Sequence, residues 1–157
     1  MTNGQITVDD RDVIIALNNL SFKKMNSAYT KAMKKTLDPI LKQTKVNLRK
    51  SGIKNVNKPY VSKKTGRSFK SMVQGVATSI DMRDDDDAYG KVHIMKEFRL
   101  KWFEKGTQIR KTKKGYNRGA IQPKWYFRDA VMQKGKQAQD TLEENIRESI
   151  YNAYNRK

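Results

Sequence analysis

Between Phe22 and Leu48 one pattern holds with little interruption. Phe22, Met25, Tyr29, Ala32, Thr36, Leu37, Ile40, Leu41, Thr44 and Leu48 return at helical spacing on one face, and the other face is nearly all lysine. A helix of this length must bury its apolar stripe against other elements of the chain. Ser21 can cap it, and the Asn47-to-Gly52 segment ends it, with Gly52 suited to a left-handed cap. Pro39 lies inside the pattern and removes one backbone hydrogen bond, which predicts a kinked helix or two pieces.

The other elements are shorter. Ile6 and Val8 suit a short edge strand or extended arm, and Asp9, Asp10 and Asp12 before Val13, Ile14, Leu17 and Leu20 suit a helix from about Asp10 to Leu20. Ile53 to Lys70 is punctuated by Asn, Gly, Pro and Ser and reads as a long basic loop, flexible or ordered only by a partner. Met72, Val76, Ile80 and Met82 mark a half-buried strand; Asp84 to Asp87 break it; Tyr89 to Lys96 resumes with Val92 and Ile94 inward, giving a hairpin with a wide acidic turn. Glu97 to Gly106 is a short helix or a continued strand, with Phe98 and Trp102 four apart. Pro123 then opens one long helix with Phe127, Val131, Ala138, Leu142, Ile146, Ile150 and Ala153 on one face. Its polar face carries Asp140, Glu143, Glu144 and Glu148, which could face the lysine-rich side of the helix that Ser21 can cap. The expected fold is a single α+β domain over residues 1–157, with long helices packed on a small antiparallel sheet and long basic loops.

Charge narrows the partners. Thirty-four Lys and Arg against sixteen Asp and Glu give a formal charge of +18, and between Val13 and Ile80 fifteen basic residues meet one acid, Asp38. Such a surface attracts polyanions, nucleic acid first. With 36% hydrophobic and 32% charged residues the core should be small. The absence of cysteine excludes disulfides, thiolate nucleophiles and cysteine-ligated metals. The longest apolar run, Val13 to Leu17, is far short of a membrane span, and the N-terminus has no signal-like segment, so the chain is expected to be intracellular where it is made.

Catalytic patterns are not found. His93, the one histidine, is expected to be exposed on a strand, and Asp84 to Asp87 lack the ligand spacing of a calcium loop. The run Gly115 to Gly119 follows no strand and has no Lys-Ser or Lys-Thr after it, so it is not a phosphate loop. Glu97, Glu104 and Asp129 could be imagined as nuclease metal ligands, but their surroundings are cationic. The expectation is a non-enzymatic chain with no cofactor. Basic residues interleave with aromatics around Tyr60 to Phe69 and around Tyr116 to Arg128, which suits phosphate contacts without base reading. From Leu100 to Val131 two aromatic clusters bracket a loop, Gln108 to Gln122, that carries Arg110, Lys111, Lys113, Lys114 and Arg118 and no acid. It reads as a mobile cationic arm on a rigid aromatic base.

Three pieces, in this order, resemble the tail-component family of long-tailed bacteriophages, small proteins that complete the tail or join it to the head. The first is Leu37-Asp38-Pro39-Ile40-Leu41-Lys42 followed by Thr65-Gly66-Arg67 and Ser71-Met72; the second is Phe103-Glu104-Lys105-Gly106-Thr107; the third is Tyr126-Phe127-Arg128-Asp129-Ala130. The chain departs from the family pattern at Ser68, Lys105 and Asp129. The resemblance, over about Asp10 to Ile150, implies a structural virion protein that assembles as a ring around the DNA channel. Its partners would be further copies of itself, neighbouring head-connector and tail proteins, and DNA without sequence preference. It would be found in the host cytoplasm during assembly and then in the virion, with no membrane contact. Thr65, Gly66, Phe103, Glu104, Gly106, Thr107, Tyr126, Phe127 and Ala130 would then be structural, Gly106 allowing a turn that a side chain would block and Thr107 hydrogen-bonding its backbone. Lys63, Lys64 and Arg67 with Arg110, Lys111, Lys113, Lys114 and Arg118 would form the assembly or DNA-facing loops. The competing expectation is a free, non-sequence-specific nucleic-acid-binding protein, for which the charge argues equally well.

Overall fold

The computed structural model describes residues 22–63, 65–66, 68–82, 88–94 and 96–155. The expected Ile6–Val8 strand, the Asp10–Leu20 helix, the Ser21 cap, the Asp84–Asp87 turn, and Lys64 and Arg67 lie outside the described residues.

One helix, α1 (Phe22–Lys50), runs unbroken for 29 residues with Pro39 inside it. Of the two readings of Pro39, the one with two pieces is therefore excluded. The proline withholds one N–H, yet packing along the whole length holds the helix together. Its buried line is Ala28, Ala32, Thr36, Ile40, Thr44 and Leu48, one residue every fourth position. Small side chains at the start of that line let neighbouring helices approach, and larger ones at its end enter the core. Ser51 N–H donates to the Leu48 carbonyl at 3.3 Å, and Gly52 follows at φ +76°, as a left-handed helix stop requires.

Two antiparallel pairs follow. β1 (Tyr60–Val61) pairs with β2 (Ser68–Phe69), and β3 (Ala77–Met82) pairs with β4 (Ala88–His93) in the register Ala77 to His93 through Met82 to Ala88. The first pair corrects the reading of Ile53 to Lys70 as a loop without structure of its own. Val56 anchors that segment in the core, 6% exposed, and the Val73 N–H donates to its carbonyl at 3.3 Å. The second pair is the expected hairpin, but its first strand begins at Ala77, because Met72–Gly75 winds into a 3-10 turn. Gly75 explains the turn: a Cβ there would lie 2.3 Å from the Glu97 Cβ, so only glycine lets this backbone close on the next element.

That element is α2 (Arg99–Lys105), which settles the Glu97-to-Gly106 segment as helix. The single C-terminal helix expected from Pro123 onward is two, α3 (Tyr126–Asp140) and α4 (Leu142–Asn155). They are separated only at Thr141, where the Asn145 N–H still bonds the Thr141 carbonyl at 3.0 Å. Pro123 lies three residues before the helix rather than in its first turn. The buried line also differs from the expected face: Tyr126, Ala130, Ala138 and Asn145 are buried, while Val131 is exposed. Asn145 is paid little attention by periodicity because it is polar, yet its Nδ2 donates to Thr36 Oγ1 at 3.0 Å across the α1–α4 contact.

α1 packs along α3, along α4 and against the β3–β4 hairpin. The architecture is thus α+β, long helices on a small antiparallel sheet, as expected. The core lies where the C-terminal half of α1 meets the 3-10 turn, α2 and the start of α3: Leu48, Val56, Met72, Val73, Val76, Leu100 and Tyr126 are buried together, with Leu41, Ile53, Val92, Ile94, Phe103 and Phe127 packed around them. Among the acids expected to face the lysines of α1, Glu148 pairs with Lys35, an exposed contact contributing about 0–1 kcal/mol, while Glu143 pairs within its own helix with Arg147 at 3.2 Å.

Candidate assembly and polyanion-binding surface

Two of the resembling motifs meet at one joint. α2 ends by turning its carboxyl end toward the amino end of α3, so unpaired carbonyls face unpaired amides. Lys124 N–H donates to the Phe103 carbonyl at 2.8 Å and Trp125 N–H to the Glu104 carbonyl at 3.4 Å. In return the Glu104 carboxylate accepts from Phe127 N–H at 2.9 Å and Arg128 N–H at 3.0 Å. Glu104 is only 5% exposed, and its negative charge sits where the helix dipole and two free amides compensate for lost water.

Tyr126 completes the joint. Its ring is buried, its hydroxyl donates to the Leu100 carbonyl at 2.7 Å, and its own carbonyl accepts from Asn47 Nδ2 at 3.2 Å, which ties α1 to the same point. Burial, with the Glu104 charge adding to it, raises the phenol far above the ordinary range, so it stays protonated and remains a donor. Trp125, just before the helix, adopts φ +47°, and Arg128 stacks its guanidinium 4.3 Å from the Trp125 ring centre. A left-handed tryptophan costs energy that these surrounding bonds offset.

The arm springs from this joint. Gly106 has φ +74°, and a Cβ on it would meet the Ile121 carbonyl oxygen at 2.7 Å, so the expectation that a side chain would block this turn holds. Thr107 differs from expectation in its partner: its hydroxyl accepts the Ile121 N–H at 3.0 Å while its own N–H donates to the Ile121 carbonyl at 2.9 Å. The two ends of the arm are thereby clasped. Beyond the clasp the backbone pairs with itself: Arg110 N–H to the Gly119 carbonyl, Arg118 N–H to the Arg110 carbonyl at 2.7 Å, and Thr112 N–H to the Tyr116 carbonyl at 2.9 Å. The loop read as mobile is thus a narrow, hairpin-like finger. Arg110, Lys111, Lys113, Lys114 and Arg118 are all exposed on it, together with Ile109 and Tyr116.

The other candidate positions lie within or beyond the joint. Thr65 and Gly66 form the turn between β1 and β2, where Gly66 N–H donates to the Ser62 carbonyl at 2.8 Å, and Lys63 beside them is exposed. Ala130 is buried in α3, and Phe103 and Phe127 pack against the core. The β1–β2 turn connects to α2 through rings: Tyr60 to Phe69 at 6.0 Å, Phe69 to Phe98 at 5.8 Å, and Phe98 to Trp102 at 5.2 Å between centroids. In sequence these residues fall in two separate stretches, Tyr60 to Phe69, where aromatics interleave with basic residues, and Glu97 to Gly106, where Phe98 and Trp102 are four apart; nothing local says that they touch.

The three carboxylates imagined as nuclease ligands are not gathered. Glu104 is bound to α3, Glu97 to Arg99 at 2.7 Å, and Asp129 to Arg128 at 3.2 Å. Among the described residues no group of three or more His, Asp or Glu side chains could hold a metal ion. His93, expected exposed, is half-buried, and burial followed by the Lys96 and Lys91 charges lowers its pKa below 6.5. Among the described residues no helix is long and apolar enough to cross a membrane. Compared with protein-family models, curated proteins and solved structures, the chain matches none of them.

Proposed function

We propose that this chain is a non-enzymatic structural subunit of a phage or prophage virion, acting in tail completion or head-tail joining by assembling as a ring around the DNA channel. The observation that carries the reading is the finger from Gln108 to Gln122, self-paired, acid-free and five times cationic, mounted on a joint in which the Phe103–Thr107 and Tyr126–Ala130 segments bind each other. A protein that only needed charge for solubility would have no use for clasping its most basic loop at the Thr107–Ile121 base. A subunit that must reach a neighbour or passing DNA does, because a pre-ordered arm loses less entropy on docking.

The test is electron microscopy of lysate from the phage or induced prophage that encodes the chain, with its gene deleted. Filled heads beside unattached tails are expected; normal infectious virions would overturn the reading. In that case a free nucleic-acid-binding protein becomes the better account, since the same finger and the +18 charge suit phosphate contact. Duplex binding by the purified monomer with a steep salt dependence would mark that alternative, whereas a ring subunit should bind weakly as a monomer.

A further inference from the structure

The ring contacts running from the β1–β2 hairpin to α2 have no part in the joint or the finger. Tyr60, Phe98 and Trp102 are 44%, 51% and 42% exposed although their rings are joined in one row through Phe69. A contiguous exposed aromatic patch calls for an occupant. The charges around it say which. Exposed lysines flank the rings in sequence, Lys58 and Lys63 about Tyr60, Lys70 after Phe69, and Lys96 and Lys101 about Phe98 and Trp102.

Within the two segments that carry the rings, no acid is free to oppose them. From Lys54 to Lys70 the chain has none, and from Lys96 to Lys105 its two acids, Glu97 and Glu104, are buried and bonded inward. Arg99 lies within the row, its guanidinium 5.0 Å from the Tyr60 ring centre and one of its nitrogens buried without a hydrogen-bond partner. An apolar protein face would have to desolvate these ammonium groups without compensation; a polyanion that also carries flat π faces would satisfy both features.

We propose that Tyr60, Phe69, Phe98 and Trp102 form a stacking platform for single-stranded nucleic acid, its bases lying on the exposed rings and its phosphates on the flanking lysines. Duplex keeps its bases stacked on each other and cannot use the platform. The site is separate from the finger and does not depend on the virion reading.

The experiment titrates the purified full-length chain with an oligothymidylate of roughly 16 nucleotides, enough to span such a platform, and with a duplex of equal length. Fluorescence anisotropy of the labelled nucleic acids and its salt dependence give the affinities, and tryptophan emission of the wild type reports stacking. The single strand is expected to bind more tightly and to quench the emission. Phe98→Ala with Trp102→Ala should weaken single-strand affinity by about tenfold or more and leave duplex affinity unchanged. Trp102→Leu keeps apolar bulk without the aromatic face, and it should lose single-strand affinity at an unchanged melting temperature. Equal affinity for both nucleic acids, unaffected by these substitutions, would overturn the proposal, because phosphate contact alone would then account for binding. So would self-association of the wild type that the double variant abolishes at constant single-strand affinity, since the row would then be a contact between copies.

Discussion

Glu104 holds Phe127 by its backbone: one carboxylate oxygen accepts the Phe127 N–H at 2.9 Å, and the other takes the next amide, that of Arg128, at 3.0 Å. A helix end is usually capped by a residue beside it in sequence. Here the cap comes from the last turn of another helix, which makes a local need for acceptors into a long-range tether between α2 and α3.

Glu104→Ala should therefore destabilise the fold by on the order of 3 kcal/mol, because two amides lose their acceptor in a site that admits little water. Glu104→Gln should cost less but still measurably, since one of its two ends presents N–H where an acceptor is needed. Urea titrations followed by circular dichroism give both values. Equal stability of Glu104→Ala and wild type would mean that the tether carries no net energy.

Gly106 and Gly115 both have positive φ, but they are not equivalent. A Cβ at Gly106 would press on the Ile121 carbonyl at 2.7 Å, whereas at Gly115 it would meet nothing within 4 Å. Gly115→Ala should cost about 1–2 kcal/mol from backbone conformation alone. Gly106→Ala should cost clearly more and lower the melting temperature further, because the Thr107–Ile121 clasp must open to admit the methyl group.

The Glu97 carboxyl predicts a pH dependence. Burial alone would raise its pKa, but the side-chain and backbone hydrogen bonds from Arg99 and the Arg99 charge outweigh burial and hold it below its ordinary 4.5. A carboxylate depressed by folding stabilises the native state above its unfolded pKa, and that contribution is lost as pH falls through its folded one. Wild-type stability should thus decline as pH drops below about 4.5, and Glu97→Gln should flatten that part of the curve. Unfolding free energies measured from pH 6 down to pH 3 would reveal the difference; parallel curves would mean that other carboxylates control acid unfolding.

Reversing Arg110, Lys111, Lys113 and Lys114 to Glu should leave the fold intact while stopping assembly or DNA retention. These side chains are exposed on a finger whose backbone bonds do not involve them. Circular dichroism reports the first outcome, and particle assembly or co-sedimentation with DNA the second. A variant without helical signal would place the finger in the core and remove it as an interface.

Much of the architecture is written locally. The recurrence from Met25 to Leu48 specifies α1 because a helix brings every third and fourth residue to one side, and Gly52 supplies its stop. Alternation gives β3 and β4 for the same kind of reason, and the basic stretch around Arg110 is visible as composition. What composition cannot give is the pairing that makes a loop into a finger, because the Thr107–Ile121 clasp joins residues fourteen apart through one main-chain bond that any sequence could make and one threonine hydroxyl with many possible partners. Likewise, short aromatic-rich runs such as Tyr60–Val61 have too few residues for any period to emerge.

Neighbours along the chain were enough to specify α1, the β3–β4 alternation and the helical C-terminal stretch, together with the sign and placement of the charge and the exclusion of cysteine chemistry, because each depends on a period or a composition. Long-range packing sets the rest: Glu104 serves α3, Asn145 answers Thr36, and Tyr60, Phe69, Phe98 and Trp102 form one row. Those are relations across space between groups with several possible partners, and the choice among them is made by how the elements that carry them pack, not by anything adjacent in the chain.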